Sequence, residues 1–171
     1  GYFTITTNAL CVAVAFAHSP WGAQKSRLSI LREPWVVTCA TASIVMVGAV
    51  YHVLLSHLYQ QEGLQAVCNR ILHYTIPPLF PLLWWFAVPR HSLVWSDVWR
   101  ILSYPLAYLV YLIARGEMTG LYPYFFIDVP RIGYPQALLN AAGLSAVFIA
   151  AGLLLIAVKG TVRPPLPTPA N

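Results

Sequence analysis

The chain has 171 residues, of which 58% are apolar and 9% charged, against roughly 25% charged in an ordinary soluble domain. So few charges cannot cover a water-facing surface, and the composition excludes a soluble globule. The net charge of +5 does not point to nucleic acid, because the basic residues sit between hydrophobic runs instead of clustering on a polar face.

Charge is absent from residues 1–24, 34–61, 71–89 and 132–158, and a helix needs roughly 20 apolar residues to cross a bilayer. The expected fold is all-α: a polytopic transmembrane helical bundle with five spanning helices in residues 1–158. A proline-rich tail follows at 159–171, and a sixth helix is expected upstream of Gly1. The first segment runs from about Tyr2 to His18 and closes at Ser19, Pro20 and Gly22, where proline and glycine stop a helix. Ala15, Phe16 and Ala17 loosely match a signal-peptide cleavage site, but no basic leader precedes them, so a spanning helix is the expectation.

The second segment, about Trp35 to Leu58, carries Trp35 and Tyr59 at its ends, where an interfacial aromatic belt would hold them. The third, about Ile71 to Val88, contains Pro77, Pro78 and Pro81, so a kinked or broken helix is expected. The fourth, about Trp95 to Ala114, begins with Asp97 and Arg100, spaced to pair at i, i+3, and is interrupted by Pro105. The fifth, about Ala137 to Val158, has Ala142, Ala146 and Ala150 at four-residue spacing, a stripe that lets another helix approach closely.

Five alternating crossings put Lys25, Arg27, Arg32, Arg90, Lys159 and Arg163 on one side, which is cytoplasmic by the positive-inside rule and takes the C-terminus with it. Thr4 then opens the first segment and His73 the third, at the opposite end of the bundle. The stretch from Arg115 to Pro135 lies there too. Its centre, Gly120 to Asp128, is too aromatic for a solvated linker and reads as a lid folded back on the bundle.

A hydroxyl, an imidazole and an aromatic lid at one membrane interface are the parts of a nucleophile and base site. Each has a plainer reading. Thr4 is also a helix-start packing hydroxyl, Asn8 also a cross-helix hydrogen-bonding group, and Asp128 also a solvated loop carboxylate. His73 is the strongest candidate, because an ionisable group at membrane depth faces a cavity or a partner. Asn8 could orient the Thr4 hydroxyl or stabilise an oxyanion, and Asp128 could orient the lid or His73. His52 and His57 are five residues apart and diverge on a helix, and Cys11, Cys39 and Cys68 lack metal or redox spacing, so no metal site is expected.

Several short motifs coincide: Tyr2-Phe3-Thr4 with Asn8, Tyr51-His52 to Leu55, Leu72-His73 followed by Pro77 and Pro78, Tyr104-Pro105, and Tyr122-Pro123-Tyr124 before Asp128. Together, from Tyr2 to about Gly152, the chain resembles the androgen-induced-protein-like family of six-helix membrane proteins, and most closely its bacterial branch. Animal members are threonine hydrolases that cleave fatty acid esters of hydroxy fatty acids with one Thr and one His, at positions matching Thr4 and His73. The resemblance therefore implies a cofactor-free lipid-ester hydrolase in a bacterial plasma membrane. Catalysis would fall to Thr4 and His73, with Asn8, Tyr122, Tyr124 and Asp128 binding or orienting substrate. Its partners would be membrane lipids and the lipid ester, with no nucleic acid, and the oligomeric state is left open. The first helix of that family is missing here, and Tyr122-Pro123-Tyr124 has no role derivable in hydrolysis. The rival reading is a non-catalytic carrier or a bundle that binds lipid or a partner helix, since proline-broken helices and buried polar groups also serve transporters.

Overall fold

The computed structural model describes residues 2–57 and 62–160. Among them the regular elements are all helical and there is no strand: α1 (Phe3–Ala17), α2 (Pro20–Ala23), a 3₁₀ turn (Ser26–Arg32), α3 (Pro34–Val50), α4 (Gly63–Arg70), α5 (Ile76–Ala87), α6 (Asp97–Thr119) and α7 (Val129–Lys159). Two π turns complete the set. Tyr51–Leu55 extends α3, and Ile71–Thr75 joins α4 to α5 without a break. Leu58 and Tyr59 of the second expected segment, and the tail from Thr161 with Arg163, lie outside the described residues.

Two helices, Pro34–Leu55 and Val129–Lys159, are long and apolar enough to cross a membrane. They differ in burial. A helix apolar on every side must be enclosed, and α3 is: Val37, Ala40, Ala42 and Ile44 are fully buried, with α1, α5, α6 and α7 packed around them. Its hydroxyls fold back on its own backbone, Thr38 Oγ1 donating to Pro34 O and Thr41 Oγ1 to Val37 O, each at 2.7 Å. By contrast α7 buries only one stripe, through Ala141, Phe148, Gly152 and Ile156, and leaves Leu138, Leu139, Val147 and Leu154 outside. Ala142, Ala146 and Ala150 lie on that exposed side. Among the described residues the small-residue stripe is thus exposed, because the inward stripe is one residue out of phase with it.

Several expected boundaries move. α1 has 15 residues, fewer than the roughly 20 of a straight crossing. The third segment begins eight residues earlier than expected, as α4, whose polar Gln65, Asn69 and Arg70 hid it from a hydropathy reading. Pro77 and Pro78 sit at the start of α5, directly after a π turn, and the helix passes through them and through Pro81. Nor does Pro105 interrupt α6. A proline deprives the carbonyl four residues earlier of its donor, and that carbonyl, Ile101 O, instead accepts the Cys39 thiol at 3.3 Å. The expected Asp97–Arg100 pair is present at 3.1 Å, with the second Asp97 oxygen accepting Val94 N at 2.9 Å. α7 starts at Val129, before a non-helical Gly133 (φ 76°) that bends its first turn away.

The helices meet around two ends. At one, the starts of α1 and α7, the Tyr51 turn, the His73 turn and the later part of α6 converge. At the other, Trp84 Nε1 donates to Thr38 Oγ1 at 2.9 Å, Lys159 Nζ donates to Trp85 O, and its ammonium lies 5.0 and 4.8 Å from the Trp84 and Trp85 rings.

Candidate active site

Thr4 stands one residue into α1, half-buried, and its Oγ1 lies 3.2 Å from His73 Nε2. His73 occupies the centre of the π turn Ile71–Thr75, a wider turn in which one extra residue re-aims the side chains around it, and one that recurs at functional sites. Its other ring nitrogen, Nδ1, lies 3.1 Å from Asn69 O. A carbonyl can only accept, so Nδ1 carries the hydrogen. Nε2 of the neutral ring is left with the lone pair, and Thr4 Oγ–H donates to it. This is the order of parts in an activated nucleophile: hydroxyl, base, and a third group that orients the base.

The close approach of the His73 turn to α3 depends on Gly48. A Cβ there would meet Pro77 Cβ at 2.8 Å and His73 O at 3.4 Å, so any side chain would push the turn away. Across this contact the Tyr51 ring stacks on the His73 imidazole, centroids 3.9 Å apart and planes inclined by 23°. The Tyr51 hydroxyl accepts Asn69 Nδ2.

Thr4 also lines a cavity of about 110 Å³ between α1, α3, α6, α7 and the lid. Met46, Leu102, Leu109, Phe126 and Phe148 are among its walls, which makes it an apolar space of the kind that takes a hydrocarbon chain. Tyr51 reaches the same cavity.

The lid is Gly120 to Asp128, as expected, but the loop that carries it is shorter than the Arg115–Pro135 stretch, because α6 and α7 each claim part of that stretch. Several hydrogen bonds pin the lid, one of them from the Arg115 guanidinium to Leu121 O at 3.1 Å. Tyr124 accepts Phe3 N at 2.9 Å, satisfying one of the free amides at the start of α1. Phe126 O accepts Asn140 Nδ2 at 2.8 Å. Tyr122 donates to Glu117 Oε1 at 2.6 Å; hydrogen bonds from Tyr122 and then Tyr134 hold the Glu117 carboxyl below its usual range, and the Glu117 bond pushes the Tyr122 hydroxyl up to about 12. Ile127, 2% exposed, plugs the lid into Leu112 and Ala141.

Of the residues named from sequence, Thr4, His73 and Tyr124 come together here. Asn8 does so indirectly: its Nδ2 donates one of its two hydrogens to Thr4 O at 2.9 Å and so braces the backbone of the Thr4 turn, while its buried Oδ1 has no hydrogen-bond partner among the described residues. Tyr122 packs over Gly116 at the stem of the lid, away from the cavity wall. Asp128 precedes α7, its carbonyl accepting Arg131 N and Ile132 N; His73 is oriented by Asn69 instead. Tyr51 and Asn69 carry contacts that the sequence reading did not assign. Asn69 lies between the second and third expected segments, and Tyr51 enters the sequence pattern only through the Tyr51-His52 to Leu55 motif. His52 and His57 are exposed, His52 edge-on to Tyr74 at 6.1 Å. Among the described residues no group of three or more His, Cys, Asp or Glu is placed to hold a metal ion. The chain matches no family model, no curated protein and no solved structure.

Proposed function

We propose that this chain is an integral membrane hydrolase of lipid esters in which Thr4 is the nucleophile and His73 the general base. One observation carries the reading: a hydroxyl within 3.2 Å of an imidazole nitrogen whose tautomer a backbone carbonyl sets, on the wall of an apolar cavity. The resemblance to the androgen-induced-protein-like family's bacterial branch points the same way. In this mechanism a fatty acyl chain enters the cavity and Thr4 Oγ attacks the ester carbonyl carbon, its proton passing to His73 Nε2. The tetrahedral intermediate expels the alcohol, which takes that proton back, leaving an acyl group on Thr4. Water, giving its proton to His73, then attacks the acyl carbon. Fatty acid leaves, and Thr4 regains its hydrogen.

The outward apolar residues of α7 support a lipid surround, since so large an apolar face is unusual on a water-soluble monomer. In our reading α1, α3, the α4–α5 rod, α6 and α7 each cross a bacterial plasma membrane, the Trp84–Lys159 end and the C-terminus being cytoplasmic and the lid outside. The test is turnover of a fatty acid ester of a hydroxy fatty acid by purified protein in detergent. Thr4→Ala and His73→Ala should each lower it by about 10² to 10⁴-fold; unchanged rates in both would sink the proposal.

A second reading, a bundle that binds lipid without cleaving it, draws on the apolar cavity alone, which would hold a hydrocarbon chain whether or not Thr4 reacts. A serine-reactive fluorophosphonate separates the two, labelling Thr4 only where its hydroxyl is activated.

A further inference from the structure

We propose that Tyr51 and Asn69 are positioning residues for His73, holding its imidazole with the Nε2 lone pair on Thr4 Oγ1 and giving the imidazolium a ring face to rest on. The catalytic consequence rests on the hydrolase reading; the positioning can be measured without it.

An imidazole on a flexible side chain has two tautomers and can turn over, and only one arrangement presents an Nε2 lone pair to Thr4. The Asn69 carbonyl selects the tautomer through Nδ1. A single hydrogen bond, however, leaves the ring free to tilt about it. The Tyr51 ring removes that freedom by lying against one face of the imidazole at 3.9 Å. Tyr51 is itself fixed: 6% exposed, braced edge-on by Tyr74 at 5.8 Å, and tied at its hydroxyl to the Asn69 side-chain amide. Asn69 therefore touches both rings, one through its backbone and one through its side chain, and the three residues close a loop of contacts.

That loop joins the two π turns. Tyr51 opens one and His73 is central to the other, and Gly48 lets them approach. When His73 takes the Thr4 proton its ring becomes a cation lying over an aromatic face, an attractive arrangement, so Tyr51 stabilises the charged state through which the reaction passes. No other ring is stacked face to face on His73 among the described contacts.

The experiment uses the full chain, ¹⁵N-labelled at histidine and held in lipid nanodiscs, with the His73 signals assigned by their loss in His73→Gln. Wild type should show a protonated Nδ1 and an unprotonated Nε2. Tyr51→Leu should give a mixture of tautomers and a kcat for the fatty ester about 10- to 100-fold lower with KM unchanged, whereas Tyr51→Phe, which keeps the stacked ring, should retain most of both. Tyr51→Met, which also removes the ring, should act like Tyr51→Leu and decides the matter if Tyr51→Leu does not fold, whereas Asn69→Ala keeps the backbone carbonyl and, losing only the tie to the Tyr51 hydroxyl, should behave like Tyr51→Phe. A wild-type tautomer distribution in Tyr51→Leu or, failing that, in Tyr51→Met overturns the proposal, as does a Tyr51→Phe variant as damaged as Tyr51→Leu. If wild type cleaves no ester, the hydrolase reading falls, and the tautomer comparison still supports or overturns the positioning.

Discussion

The two ends of the bundle are built on opposite principles. Around Trp84 the side chains close on one another: the indole is 3% exposed, its N–H is satisfied by Thr38, and the Lys159 ammonium is covered by two aromatic rings and a carbonyl. Around Thr4 the packing opens into a cavity, two helices adopt π turns, and a half-buried hydroxyl and imidazole keep their reactive atoms for each other. Rigidity at one end lets the other carry unfilled space and irregular backbone, which elements of low local stability provide at binding sites.

The contrast is broken hardest at the closed end. Trp84→Ala removes a buried indole and strips cover from Lys159, and should cost about 3–5 kcal/mol, read as a lower unfolding midpoint in detergent. Thr4→Ala, which removes one hydrogen bond beside a cavity, should cost about 0.5–1.5 kcal/mol. Equal losses at the two sites would mean that the ends do not divide stability and chemistry between them.

Gly48→Ala tests the join between α3 and the reactive end. The new methyl group would stand 2.8 Å from Pro77 Cβ, so the His73 turn must retreat; overpacking of this kind costs about 1–3 kcal/mol. Ester turnover should fall with it, since Thr4 and His73 separate. Turnover equal to wild type would show that the close approach is not what seats the base. Cys39, next to Thr38 towards the closed end, gives a smaller, local effect. Cys39→Ala leaves Ile101 O without its donor under Pro105 and should destabilise by about 1 kcal/mol, while Cys39→Ser, with a hydroxyl to offer, should recover most of it. If Ser is as poor as Ala, the thiol is only filling space.

What the sequence made legible follows the same division. The apolar runs that became α1, α3, α6 and α7 were readable because burial selects apolar residues, and the shared end of Thr4 and His73 was expected from helices that alternate in direction. The Asp97–Arg100 pair was readable because i, i+3 spacing is local. What escaped was non-local or irregular. Nothing in the run from Tyr51 to Leu55 announces a π turn, and Asn69 lay in a polar stretch that looked like a loop. The donor under Pro105 is a cysteine 66 positions earlier, a spacing no periodicity marks. Tyr122 was grouped with Tyr124 by sequence proximity, yet the backbone turns one towards Glu117 and the other towards Phe3 N.

That last difference gives the smallest and most local test. Glu117 is exposed and Tyr122 half-buried over Gly116, so their bond acts locally, on the stem of the lid. Glu117 binds its proton less readily in the folded chain than its ordinary value of 4.5, so the bond's contribution is present above that value and is lost as pH falls through the lower folded one. Tyr122 shifts the other way, from 10.0 to about 12, so at the alkaline end the contribution is present below 10.0 and is lost as pH rises through about 12. Amide protection factors for Gly120 to Asp128, corrected for intrinsic exchange, should therefore hold steady down to about 4.5 and decline below it. In Glu117→Gln they should be lower at neutral pH and should not change further on acidification. A wild-type lid whose protection ignores acid would mean that Tyr124, Ile127 and Asn140 hold it without help from the stem.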